Sequence, residues 1–395
     1  MIDFIYSNRN FMNITKLLFS LCLMHCIAFS YAYEPNQGSD TSLQPTAKNF
    51  FYFDQTYGSE SQFGPLSVLL NVGLVVPGRL NTDARLKHID YRGGFKNFKD
   101  SLSQQQAVFD ESGGFNESLQ KEFIPLAHPS GAWLPNYTLH LVGEGMLSRK
   151  LEEYFVFEGV QGEYMPKILA VSTVVAAQVL NEVVEYELQW GHRLDAVADF
   201  YFNAAGIIAF SFDEVAALFN NDYVNYYYWP GQPVIDIKDG AIFNQGENYF
   251  LRTTLGDATD WKLAFLAGLP ANGLGVSIPL DGMQFEYLSI MLGTDVLIPK
   301  PNTSPDPDDL KRGDKFKAED IAKQYIGGLN FYWDRKGSLL GSAAIGDIPS
   351  YQINLNLYPV RYSDLDIAIG GYIVAAEDGA STVGITFDFM PWVPG

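Results

Sequence analysis

The chain has 395 residues, with 26 Lys and Arg against 46 Asp and Glu, for a net charge of −20 at pH 7. So acidic a chain excludes nucleic acid as a partner, because phosphate backbones are bound by clustered Lys and Arg. Both cysteines, Cys22 and Cys26, lie near the N-terminus, so the rest of the chain has neither disulfide nor thiolate chemistry.

Lys16 precedes an apolar run from Leu17 to Phe29, and the run ends in Ser30-Tyr31-Ala32. A basic start, an apolar core and a small-x-small end predict a secretory signal peptide over residues 1–32, cleaved after Ala32. The run is short for a membrane span, which needs about 20 residues. The rival reading is a lipoprotein, but the residues before Cys22 and Cys26 do not match a lipidation motif. Export without disulfides points to a Gram-negative bacterial envelope.

Residues 33–135 read as a polar, loop-rich N-terminal region. Within it, Leu66 to Val76 is apolar and fits a short helix or strand. Asn81 to Glu122 is charged, carries Gly93-Gly94 and Gly113-Gly114, and reads as loop. Residues 136–228 read as a helical module of three or four packed helices. Pro166 to Leu188 is apolar almost all round, which places a helix in a protein core or against lipid. Ala170, Ser172, Ala176 and Ala177 permit close helix contact.

From Trp229 the period changes to two, so residues 229–395 read as an antiparallel β region, interrupted by a loop at 299–319. Tyr351, Ile353, Leu355 and Leu357 alternate with Gln352, Asn354 and Asn356, and Val383, Ile385, Phe387 and Phe389 alternate with Thr382, Gly384, Thr386 and Asp388. Roughly eight strands can be marked, the number in the smallest membrane barrels. One-sided alternation also suits a soluble antiparallel sheet. Export and an aromatic content of 14% favour the membrane sheet. The predicted class is α+β: signal peptide, packed helical module, then an antiparallel sheet or small outer-membrane-type β-barrel. The predicted location is the outer membrane, with the periplasm as alternative. Predicted partners are lipid and, if the strands close, the barrel-assembly machinery.

Ionisable residues in the apolar helices mark a candidate site, since such groups are costly unless paired or functional. His140, Glu182, Asp195 and Asp199 are the candidate catalytic residues, with His140 as general base or ligand and the carboxylates splitting into acid and base. Asn136, Arg149, Asn181, Glu185, Arg193 and Asn203 are candidate binding residues. Asn136 and His140 are four apart, as are Asp195 and Asp199, so each pair shares a helix face. The competing reading makes the same residues a structural network, with Arg149 or Arg193 paired to Asp195, Asp199 or Glu182. No zinc-type spacing, nucleophile elbow or phosphate loop is present, so neither a metal nor a cofactor is expected.

Asn136-x-x-x-His140, Arg149, Leu180-Asn181-Glu182-x-x-Glu185 and Asp195-x-x-Ala198-Asp199-x-x-x-Asn203-x-x-Gly206 together resemble uncharacterised bacterial envelope families, domains of unknown function with a helical core and a β-rich continuation. The resemblance covers about residues 136–206 and departs at His140, which Leu141 follows where those families place a proline. It implies outer-membrane association and no established reaction. The leading expectation is a structural, transport or lipid-organising envelope protein. The alternative is an envelope hydrolase or transferase acting on lipid or a small substrate.

Overall fold

The computed structural model describes residues 49–75, 86, 89–128, 132–187, 193–235, 242–254, 260–269, 271–280, 285–297, 324–346, 353–361, 368–375 and 381–388. The expected signal peptide, the loop 299–319, the link Trp190-Gly191-His192 and Phe389 lie outside the described residues.

The described chain begins with helices α1 (Pro65–Asn71), α2 (Tyr91–Ser103), α3 (Gln105–Glu111) and α4 (Phe115–Glu122). A π-helical stretch (Asn136–Glu144) runs directly into α5 (Gly145–Phe157). Then come α6 (Met165–Glu187), α7 (Arg193–Phe210) and α8 (Asp213–Phe219). Helices α2 to α4 correct the expectation of a loop over 81–122. Gly93-Gly94 reads as a breaker in sequence, but Asp90 caps α2 by accepting from the Gly93 N–H at 3.0 Å. Gly94 is needed for packing, because a Cβ there would overlap the Val183 carbonyl of α6.

Helix α6 is the hub of the module, flanked by α1, α2 and α5. Its Ala170, Val174 and Ala177 join Met146, Leu147 and Leu151 of α5 in the largest apolar core. By length and composition α6 is apolar enough to cross a membrane. Glu153 of α5 ties down the N-terminal segment by accepting the backbone N–H groups of Phe50, Phe51 and Tyr52 at 3.0, 2.8 and 2.9 Å.

Twelve strands follow: β1 (Val224–Pro230), β2 (Val234–Ile235), β3 (Ile242–Phe243), β4 (Glu247–Thr254), β5 (Lys262–Leu269), β6 (Ala271–Pro279), β7 (Glu286–Leu297), β8 (Gln324–Arg335), β9 (Ser338–Gly346), β10 (Ile353–Arg361), β11 (Ala368–Ala375) and β12 (Ser381–Asp388). Ten form one antiparallel sheet in the order β1-β4-β5-β6-β7-β8-β9-β10-β11-β12, and β2 pairs with β3. Among the described residues β1 and β12 are its edges, so the sheet is open rather than a closed barrel. It curls nonetheless. The Thr386 hydroxyl of β12 donates to Gln232 Oε1, just past β1, at 2.6 Å, and the Tyr358 hydroxyl of β10 donates to Pro230 O at 2.7 Å. Strand β1 starts inside the region expected to be helical, and β6 and β9 were not marked in sequence. In β6, Gly273 and Gly275 dilute the alternation.

The two faces of the sheet differ in kind. One cross-strand row on the inner face places Arg252, Ala264, Gly275, Met291, Asn330, Ala344 and Asn354 opposite one another in turn. Arg252, Met291 and Asn330 in it are buried. Arg252 donates from Nη1 to Asp334 Oδ2 at 3.3 Å and from Nε to Ser277 Oγ at 3.1 Å, and Ser277 meets Ser289 at 2.7 Å. The adjacent outer row reads Thr253, Leu263, Val276, Ile290, Phe331, Ala343, Leu355, Ile373, Val383. None of these is buried. A second outer row contains Phe265, Leu274, Leu292 and Ile345, all exposed, Leu292 at 72%. Among the described residues the helical module covers this outer face only at its β1 edge, where Tyr226, Tyr228 and Tyr249 enter the main core and Leu251 and Ala267 pack against it.

Candidate functional site

The π-helical stretch carries His140, and this wider winding is itself common at functional positions. Gly143 and Gly206 make the crossing of this stretch with β4 and α7 possible. A Cβ at Gly143 would overlap the Tyr249 ring, and one at Gly206 would overlap the Leu141 carbonyl oxygen. His140 is thereby held between two carboxyl groups. Its Nδ1 lies 3.2 Å from Glu144 Oε1 and its Nε2 lies 3.4 Å from Asp199 Oδ1, and its side chain is 20% exposed. Asp199 shares a hydrogen bond with Glu182 of α6. Glu247, at the start of β4, adds a carboxyl from the sheet, which accepts from the Tyr249 hydroxyl at 2.6 Å.

Glu144, Glu182, Asp199 and Glu247 are all buried. Burial is the main cause raising Glu182 and Asp199 well above the carboxylate range; for Glu182 the charge of Asp199 adds to it, and for Asp199 the charge of Asp195 does. Two carboxyls that hydrogen-bond each other in such a site share a proton. Glu144 is raised by burial too, against the pull of His140. Burial alone would lower His140. The hydrogen bond and charge of Glu144, with the charges of Glu247 and Glu182, outweigh it and raise its pKa to about 9. At neutral pH this favours the imidazolium form of His140. Glu144 is hydrogen-bonded to His140 and Asp199 to Glu182, and the two pairs face each other across the 3.4 Å between His140 Nε2 and Asp199 Oδ1. Glu144 Oε2, Asp199 Oδ1 and Asn203 Oδ1 are buried within the protein without a hydrogen-bond partner.

Of the residues marked in sequence, the fold brings together His140, Glu182 and Asp199, with Glu185 and Asp195 close enough for their charges to act on that pair. Asn203 is buried one turn beyond Asp199 on α7. Asn136 stands apart from His140 and donates to Glu122 of α4, at 3.0 Å to the backbone oxygen and 3.2 Å to Oε2. Glu122 is raised to about 7 by burial and by Asp195. Arg149, Asn181 and Arg193 do not join the site. Arg149 pairs with Glu153 at 3.0 Å and Asp213 at 2.8 Å, and Asn181 donates to Val72 O at 3.0 Å. Arg193 grips Glu111 through two contacts of 2.8 and 2.9 Å. The expected pairing of Arg149 or Arg193 with Asp195, Asp199 or Glu182 is thus replaced by these partners. Sequence reading left out Glu144 and Glu247 as site members. Glu144 was legible as one turn beyond His140, whereas nothing local to β4 tells which helix Glu247 meets.

Among the described residues no group of three or more His, Cys, Asp or Glu side chains is arranged to hold a metal ion. No family model, curated protein or solved structure matches this chain.

Proposed function

We propose that this protein is an outer-membrane protein of a bacterial envelope, with strands β4–β12 in the bilayer and the helical module held at the β1 edge outside it, in a structural, transport or lipid-organising role. The observation that carries the reading is the sheet's apolar outer face, which among the described residues no helix covers beyond the β1 edge. A soluble antiparallel sheet turns polar residues to water and apolar ones inward. Here the uncovered outer rows are mostly Leu, Ile, Val and Phe, while the inner face buries an Arg, an Asp, an Asn and several Ser beside an apolar cluster of Trp229, Phe250, Leu266, Met291 and Tyr332. An apolar face left to the outside, over an interior that holds buried polar groups, suits a membrane β-structure. The helices, with an ionisable cluster at their centre, suit water better than hydrocarbon.

Leu292→Arg separates the readings. At 72% exposure the substitution is nearly neutral if water surrounds Leu292. If lipid does, it costs about 2–4 kcal/mol. Refolding the variant and the parent chain into phospholipid vesicles and titrating with urea measures the difference. Equal stabilities would overturn the membrane reading.

A second reading is favoured by the unpartnered carboxyl oxygens around His140: an envelope hydrolase or transferase in which His140 protonates a leaving group and Asp199 and Glu182 supply its proton. Asp199→Asn and His140→Gln would each abolish such an activity without loss of the folded sheet. Unchanged envelope phenotype in both variants would leave the cluster as a structural proton store.

A further inference from the structure

A second site lies away from the His140 cluster. The N-terminal segment Phe53–Tyr57, the start of β1 and the turns bounding β7 and β8 enclose a cleft of about 550 Å³, lined by Phe53, Asp54, Gln55, Thr56, Tyr57, Asn220, Asn225, Tyr227, Phe285 and Lys336. We propose that this cleft binds a sugar ring of an envelope glycan.

The lining has the composition such a ligand needs. Tyr57, Tyr227 and Phe285 bring aromatic rings for the apolar C–H face of a pyranose, and Gln55 brings an amide for its hydroxyls, while the Asn220 and Asn225 amides are hydrogen-bonded to Phe50 O, Asn221 O and each other. Asp54 and Lys336 are the only charged residues in the lining, and their charges cancel, so a neutral ligand fits better than an anion or a cation. Gln55 donates through Nε2 to Lys336 O at 3.0 Å, and this leaves its Oε1 without a donor. A ligand hydroxyl, reached by a small turn of the amide, completes it.

The backbone supports the same conclusion independently. Lys336 and Gly337, with φ of 49° and 83°, form the two-residue β8–β9 turn that itself needs positive φ at both positions, while Asp54 and Phe285 have φ of 47° and 64°. These left-handed conformations are unfavourable for residues with a Cβ, and most of all for a bulky one such as Phe. Such strain collects where a function requires it. Here it turns Phe285 outward at the rim, 63% exposed, with Lys336 Nζ 5.4 Å from the centre of its ring.

The test is calorimetric titration of the full mature chain with two probes, N-acetylglucosamine trisaccharide and maltotriose. The first represents the glycan strands of the cell wall, the second the hexoses of outer-membrane glycolipids. One-site binding of either, insensitive to high salt, is the expected result, and the probe that binds identifies the source. Phe285→Ala and Gln55→Leu should each weaken it by about tenfold, while His140→Gln leaves it unchanged. Circular dichroism of each variant verifies that the sheet is intact. Binding of neither sugar, affinity unaltered in both cleft variants, or binding that disappears in high salt or in Lys336→Met would each overturn the proposal. The last result would show an anionic ligand instead.

Discussion

Arg252 is only 1% exposed and Asp334 is fully buried. Two such charges hold each other inside the curled sheet, with Ser277 and Ser289 satisfying the remaining guanidinium N–H groups. Removing one partner strands the other in a low-dielectric site. Arg252→Met should therefore cost about 3–5 kcal/mol of unfolding free energy, and Arg252→Met with Asp334→Leu much less. Urea titration of both variants measures this, and a double variant as unstable as the single one would contradict the pairing. The buried ionisable groups of the helical module make a prediction in pH. Glu122 is raised from 4.5 to about 7 and His140 from 6.5 to about 9. Both bind protons more tightly in the folded chain, so folding is favoured while they are protonated. Their stabilisation is complete below the unfolded values and is lost as pH rises through the folded ones. Stability should thus decline between about pH 4.5 and 9, and His140→Gln should lessen the decline above pH 6.5, the remainder coming from carboxyls such as Glu247, raised to about 8. A stability that rises with pH across that window would show that these groups are not protonated as described. The candidate site was legible at this scale where chemistry and spacing agree: His140, Glu182 and Asp199 stand out as ionisable residues in apolar helices. Arg149, Asn181 and Arg193 stand out in the same way, yet they serve as local ties to Glu153, Val72 and Glu111. Periodicity places a residue on a face of its own helix and does not say which neighbour that face meets.

The helices and strands show what pattern can and cannot reveal. The apolar segments of α5, α6 and α7 and the alternating strands β5, β10 and β12 are visible because each is long and buries or exposes one side consistently. Helices α2 to α4 were hidden by glycines and charge, and their stability comes from contacts with α6 and α7 rather than from their own sequence. Strand β1 was hidden because Tyr226-Tyr227-Tyr228-Trp229 is aromatic on both faces. Tyr226 and Tyr228 pack against the helices while Tyr227 and Trp229 pack inside the curl, where Trp229 Nε1 donates to Gly337 O at 2.8 Å. Close element crossings depend on single glycines. Gly206→Ala forces a methyl group against the Leu141 carbonyl and should cost about 1–3 kcal/mol. It would also push α7, and Asp199 with it, away from His140. Thermal denaturation together with the imidazole NMR titration of His140 checks both effects. An alanine variant with parental stability and an unshifted His140 titration would show that the crossing is looser than described.

For the whole molecule, the compact helical module and the open, curled sheet are joined through an aromatic seam, Tyr226, Tyr228 and Tyr249, with the ionisable cluster beside it, and through hydrogen bonds from Gly246 and Gln245 to Asn71 and Leu74. The rest of the sheet's outer face is bare and apolar. In water, an exposed apolar area of this extent would drive association. In a bilayer it is the ordinary surface of a membrane strand. The side on which each face lies was implicit in the alternation of β10 and β12, but alternation is the same for either choice of solvent. Only the sheet's curvature and the burial of Arg252 and Asp334 identify the polar side as the inside. The most direct measurement is fractionation of the full chain expressed in a Gram-negative host, followed by electrophoresis of the membrane fraction with and without boiling. The account predicts recovery in the outer membrane and a band that migrates faster unboiled, because a curled sheet stabilised by lipid resists detergent until heated. Recovery as a soluble periplasmic protein, with a single band under both conditions, would contradict it.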